Sequence, residues 1–258
     1  MKLGMMLLVF TFLTQLQAHA IDVQELLEAS DQVMHPENLQ GTFRMILISP
    51  QGNQRTMEVM AYQWRRSETR EDRVFIFTHP PSVEGTGLLV HSYNDEDDRM
   101  WIYLPAVDML KRVNLSSSGG GYFMGSDFTY SDLISGSREE FDYELLGEAE
   151  IDGEACYLVS KQGQSRAAQR TSGYSLEEHY IRKSDLVAIR IVFYDLAGDL
   201  LKELRVQEVQ IIGPYRYPSD VIMENMQTGH RSEIVFGDIQ VPETIPEEYF
   251  THRYLQNQ

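Results

Sequence analysis

From Gly41 onward, apolar and polar residues alternate with a period of two in segment after segment, a pattern that excludes a helical bundle. Residues 41–49 and 55–65 show it clearly. Phe43, Met45 and Leu47 share one face, Met57, Val59 and Ala61 do likewise, and Pro50-Gln51-Gly52-Asn53 between them is a turn cluster. The same pattern predicts strands at 73–78, 87–93, 99–104, 143–148, 155–161, 176–182, 188–195, 200–211, 221–225 and 231–236. Asn94-Asp95-Glu96-Asp97-Asp98 reads as a hairpin tip. Asp185, Ala197-Gly198-Asp199 and Thr228-Gly229 mark tight turns. About a dozen antiparallel strands at hairpin spacing place the chain in the all-β class, as a sandwich or barrel.

Two segments, Val74-Phe75-Ile76-Phe77 and Met100-Trp101-Ile102-Tyr103-Leu104, are apolar or aromatic at successive positions. Successive strand residues point to opposite faces, so these strands need cover on both sides. A few short helices are expected to supply it, at 22–34, near 127–134 and near 247–255. The first is the best signalled. Asp22 can cap it, Glu25 follows at capping-box spacing, and Val23, Leu26, Leu27, Ser30 and Val33 form one face before Pro36 prevents continuation. No linker, repeat or low-complexity block interrupts residues 21–258, which read as a single domain.

Residues 1–20 read as an address. Lys2 is the positive end, residues 3–16 are an apolar run, and Ala18-His19-Ala20 fits the small-x-small rule for cleavage after Ala20. The run is too short for a comfortable transmembrane span, and no Cys follows it to take a lipid. The expectation is a cleavable signal peptide and a soluble protein in the periplasm. A lone cysteine, Cys156, excludes a disulfide framework within the chain and any cysteine-only zinc site. The formal net charge of −17 lacks the basic footprint of a nucleic-acid binder.

The most distinctive stretch runs Trp101-Ile102-Tyr103-Leu104-Pro105-Ala106, then Lys111-Arg112-Val113, a Ser/Gly run at 116–121, and Phe123-Met124-Gly125-Ser126-Asp127-Phe128-Thr129-Tyr130-Ser131-Asp132-Leu133. A strand ends at a proline, a basic turn and a flexible loop follow, and an aromatic segment enters a short helix with Thr129 and Asp132 at capping-box spacing. On these residues the chain resembles the outer-membrane lipoprotein-sorting family, the LolA-like periplasmic proteins. The resemblance spans roughly residues 22–256 and is most specific over 100–133. It implies a curved antiparallel half-barrel of LolA/LolB type, with helices as a lid over an apolar cavity. It also implies a carrier of lipid or lipoprotein acyl chains in outer-membrane biogenesis. The partners would be an outer-membrane acceptor or, since some members look like companions of RND-type exporters, an inner-membrane exporter for which this chain is an accessory binding module.

Candidate pocket and lid residues are Trp101, Tyr103, Phe123, Met124, Phe128 and Tyr130, because flat aromatics and flexible Met repack around an acyl chain at low cost. Plain core packing is the competing reading. On a helix, Met124 and Phe128 would share a face. Lys111 and Arg112 could meet a head group or an acidic partner, or simply lie in a solvated turn. The run at 116–121 reads as a lid hinge or a mobile loop. No H-E-x-x-H, G-x-S-x-G or phosphate-cradling signature appears, and in Glu177-Glu178-His179 adjacent residues of a strand face opposite sides. The expectation is therefore no enzyme, no catalytic residues, no metal and no cofactor.

Overall fold

The computed structural model describes residues 21–116, 118–134 and 138–258. The expected leader at 1–20 and Ser117 of the Ser/Gly run lie outside the described residues. Helix α1 spans Val23–Met34, and the Asp22 side chain caps it by accepting from the backbone N–H groups of Gln24 and Glu25. The chain then runs through β1 (Asn38–Ile48), β2 (Gln54–Ser67), β3 (Arg70–His79), β4 (Gly87–Tyr93), β5 (Arg99–Leu104) and β6 (Met109–Arg112). After an irregular segment come β7 (Phe141–Ile151), β8 (Glu154–Gly163), helix α2 (Arg166–Ser172), β9 (Leu176–Arg182) and β10 (Ala188–Tyr194). The remainder is β11 (Leu200–Ile212), β12 (Tyr215–Asn225), β13 (Arg231–Gln240) and helix α3 (His252–Gln256).

All strands join one antiparallel 13-stranded sheet, in the order β6-β5-β4-β3-β2-β1-β13-β12-β11-β10-β9-β8-β7. Every neighbouring pair is a hairpin except two. A longer connection carrying helix α2 links β8 to β9, and β1 pairs with β13 to weld the first run of strands to the second. The sheet does not close, because β6 and β7 are its two free ends. It is a curved half-barrel. Helix α1 shows the curvature: it packs on β12 and also on β7, five strands away, which a helix reaches only from inside the bend.

The strands that are apolar on both faces are covered on both. On the inner side Phe75 and Phe77 of β3 and Met100 and Ile102 of β5 join a cluster with Phe43, Met45, Met57 and Phe123. On the outer side Val74, Ile76, Leu89, Trp101 and Tyr103 pack under the C-terminal segment, through Ile245, Phe250 and Leu255. Two details differ from the sequence expectation. Lys111 and Arg112 belong to edge strand β6 and not to a turn; the turn is Pro105–Val107, closed by Asp108 at φ 45° and by a Tyr103 hydroxyl hydrogen bond to Asp108 (3.0 Å). The helix expected near 127–134 shrinks to a single 3₁₀ turn, Tyr130–Leu133, held by the Thr129–Asp132 capping box.

Candidate functional site

The segment between β6 and β7 lies across the inner face of the sheet. Residues 122–129 form a small loop closed by an antiparallel bridge between Tyr122 and Thr129. The Phe123 N–H donates to the Phe128 carbonyl (2.7 Å), and the Tyr130 N–H to the Gly121 carbonyl (3.0 Å). Met124 (φ 51°) and Gly125 (φ 81°) make the reversal. Met124 and Phe128 therefore do not share a helix face. Phe123 packs among the strands of the first half of the sheet, whereas Phe128 packs with Tyr174, Phe193, Val221 and Met223 of the second. Met124 and Tyr130 rest against the same cluster as Phe123. Gly119 is fitted closely behind this loop: a Cβ there would meet the Ser131 hydroxyl at 2.5 Å and the Ser172 carbonyl at 2.9 Å.

Buried polar contacts tie the segment down from both halves of the sheet. Lys202 of β11 is 0% exposed. Its Nζ donates to Asp132 Oδ2 (2.6 Å) and to the Asp127 carbonyl (2.8 Å), and the rings of Tyr174 and Phe193 lie about 5 Å from it. Asp132 also accepts from the Tyr174 hydroxyl (2.6 Å) and the Thr129 N–H (2.7 Å). Burial, and then the Asp132 charge, hold the Tyr174 phenol well above its ordinary pKa, so it stays a donor. Asp127 accepts from the Ser232 hydroxyl (2.6 Å) and meets His230 Nδ1 (2.6 Å). From the other half, the Arg73 guanidinium donates to the Leu133 carbonyl (3.1 Å) while pairing with Glu71. Each buried charge thus has a partner of opposite charge or several hydrogen bonds, without which its desolvation would be prohibitive.

Beneath the segment lie two cavities. The first, about 270 Å³, is lined mainly by apolar side chains of β1, β3, β12 and β13 and is capped by Phe123, Phe128 and Leu133. The second, about 210 Å³, combines Ile191, Phe193 and Met223 with a polar wall of Tyr143 and the charged Lys161 and Glu177. Burial raises the Glu177 pKa, but Lys161 (2.9 Å) and His179 (3.0 Å) outweigh it and hold the carboxyl at about 2. Phe128 lines both cavities and is the wall between them. His35, at the end of α1, lines the first cavity and also a wider charged groove of about 800 Å³. In that groove burial pushes the Asp31 pKa up, yet His35, Arg65 and Arg138 pull it below the usual carboxylate range.

The structure brings Phe123 and Phe128 to the cavity. It places Trp101 and Tyr103 on the outer face under α3, where Trp101 meets His252 with ring centroids 4.6 Å apart. Arg112 borders a cleft beside Glu140 and Asp98 at the open seam of the sheet, and Lys111 is exposed. Sequence reasoning did not find Lys202, Tyr174, His230 or Ser232. A lysine set between leucines near the start of a strand was the available signal, because β11 buries it beside Leu201 and Leu204, which pack against the Phe128 cluster.

Solved structures share this fold. A domain from Vibrio parahaemolyticus named for outer-membrane lipoprotein sorting is 26% identical, with a TM-score of 0.83, covering 90% of this chain and 97% of its own. A DUF1329 family protein from Desulfovibrio piger is 27% identical, with a TM-score of 0.83, covering 90% and 96%. A LolA superfamily protein from Nitrosomonas europaea is 21% identical, with a TM-score of 0.71, covering 91% and 100%, and shows the same fold. A family model described as "Uncharacterized protein" matches residues 69–257. The chain belongs to the family that this model describes, and its fold is LolA-like. No curated protein matches the sequence. Among the described residues, no helix of this LolA-like chain is long and apolar enough to cross a membrane.

Proposed function

We propose that this chain is a periplasmic carrier for the acyl chains of lipids or lipoproteins, of the outer-membrane lipoprotein-sorting type. The observation that carries the reading is the apolar cavity of about 270 Å³ that lies between the inner face of the half-barrel and a segment pinned from both sides. The mechanism is burial and release, with no covalent step. Each methylene buried contributes about 0.8 kcal/mol, and the ordering of cargo and protein offsets part of the sum. Release must therefore be coupled to a change in the pinned segment or to an acceptor in the outer membrane. Native mass spectrometry of protein purified from the periplasm, followed by lipid extraction, tests this. Acyl species retained in the folded protein are expected. Protein that carries none and binds no apolar probe would overturn the reading.

A second reading, an accessory binding module of an inner-membrane RND-type exporter, is favoured by one feature. Leu196, Leu200 and Met226 are exposed where the Met226 N–H donates to the Leu201 carbonyl (2.8 Å) and Gln227 to Asp195 (2.9 Å), and the exposed Tyr122 joins them through its hydroxyl, which accepts from Asn225 (3.3 Å). Leu200→Asp should leave probe binding intact. If it abolishes function in cells while substitutions in the cavity do not, the module reading holds.

A further inference from the structure

The first cavity is graded along its strands. Register fixes the gradient: Gln63 of β2 lies opposite Arg73 of β3 and opposite Leu39 of β1 at one end, while Met45 of β1 lies opposite Ile234 of β13 at the other. Tyr217 of β12 sits four residues before Val221, the register partner of Ile234, and so falls toward the Gln63–Arg73 end. Its ring centroid is 5.0 Å from that of Phe236. The polar end is also the end at which His35 joins the cavity to the charged groove outside. A ligand seated here keeps its tail among Met45, Val221, Ile234, Phe123 and Phe128, and its head beside Gln63, Arg73 and Tyr217.

The charge at that end is already balanced. Arg73 pairs with Glu71, itself buried, and donates to the Leu133 carbonyl. A second anion beside this pair would be desolvated without a counter-charge of its own, in a chain of net charge −17. Uncharged hydrogen-bonding capacity remains. Among the described residues the Tyr217 hydroxyl has no hydrogen-bond partner. Burial pushes its pKa up to about 12, which keeps it a donor. The Gln63 amide makes only a long contact, 3.4 Å, to the Pro36 carbonyl. A cavity of about 270 Å³ falls just below the roughly 300–1,000 Å³ that encloses a drug-sized ligand, which leaves room for one chain and not for several.

We infer that the cavity takes a single-chain amphiphile with an uncharged, hydrogen-bonding head, of the monoacylglycerol or acyl-ester class, in preference to an ionised fatty acid. This rests on the carrier reading and narrows it. The test is displacement of the neutral fluorescent probe N-phenyl-1-naphthylamine by monodecanoylglycerol and by decanoate at neutral pH, in the wild type, Tyr217→Phe and Gln63→Leu. The ester should displace the probe at about tenfold lower concentration than the carboxylate. Tyr217→Phe should erase most of that difference, about five- to tenfold, with each displacement scaled to the variant's own probe affinity, because one hydrogen bond is worth about that much. Gln63→Leu should weaken the ester in the same direction. Equal or better displacement by decanoate, or a Tyr217→Phe effect that is the same for both ligands, would overturn the inference and leave the carrier intact. Failure of the wild type to bind the probe would overturn both.

Discussion

Lys202 shows what a single side chain does here. Its ammonium is fully buried, and Asp132 and the Asp127 carbonyl take most of its hydrogen-bonding capacity. Removing it strands the Asp132 carboxylate in the interior, so Lys202→Met is expected to cost about 3–5 kcal/mol in urea unfolding. Adding Asp132→Asn should recover part of that loss, and a double-mutant cycle reads the coupling. A double variant whose loss equals the sum of the two single losses would show that the two groups are not coupled. Asp98 is the opposite case. Burial raises its pKa to about 6, against a lowering by the Tyr93 N–H it accepts from (2.8 Å), with Glu140 and Asp97 adding to the rise. A carboxyl raised in the folded state favours folding when protonated. Its contribution is present below about pH 4 and is lost as pH climbs through about 6. Asp98→Asn keeps an acceptor for Tyr93 and should stabilise the protein by about 1–2 kcal/mol at pH 7.5, after allowance for solvent screening, with the gain shrinking toward pH 4. The same gain at both pH values would remove ionisation as the cause. The sequence showed both residues only as charges in a strand and in a hairpin tip. Lys202 finds its counter-charge 70 positions away, and the Glu140 charge that helps to raise Asp98 lies 42 positions away.

The central segment is the element whose local form departs most from its sequence pattern. Thr129 and Asp132 make the capping box their spacing promises, yet they cap one 3₁₀ turn and not a helix. The reason is Met124 and Gly125, whose positive φ values fold residues 122–129 back on themselves and send Phe123 and Phe128 to different halves of the sheet. Because cavities already flank Phe128, Phe128→Ala should cost about 3 kcal/mol, the low end for a buried phenylalanine. It should also join the two cavities and shift acyl preference toward longer chains in probe displacement. A larger loss of stability with unchanged chain preference would make Phe128 plain core. The C-terminal segment behaves differently. Leu255 is 0% exposed, and it covers the outer face of strands whose inner face is already occupied. Leu255→Ala is expected to cost about 2–5 kcal/mol in chemical unfolding. A variant as stable as the wild type would show that this cover is not needed. The need for that second cover was legible in Val74-Phe75-Ile76-Phe77, because a strand apolar on both faces has no side to give to water.

For the whole molecule, the leader and the half-barrel belong to one proposal: a carrier assembled outside the cytoplasm. N-terminal sequencing of protein from a periplasmic fraction should begin at Ile21. An intact Met1 in the membrane pellet would reject export by cleavage after Ala20. What the sequence determined by itself is the all-β class, most of the strands, the cap at Asp22, the capping box at Thr129 and the family resemblance of residues 100–133. All of these rest on contacts between residues near one another in the chain, where a period of two or a spacing of three is enough. The tertiary structure alone decided which residues face the cavity. Trp101 and Tyr103 sit in the same aromatic motif as Phe123, but the pleat turns them outward and α3 covers them, while Phe123 and Phe128 reach the interior. It alone joined β1 to β13 across nearly the full length of the chain, and so brought Tyr217 toward Gln63 and Arg73. Local pattern carries no record of such pairings, because strand partners are chosen by the burial of a shared face and not by distance along the sequence.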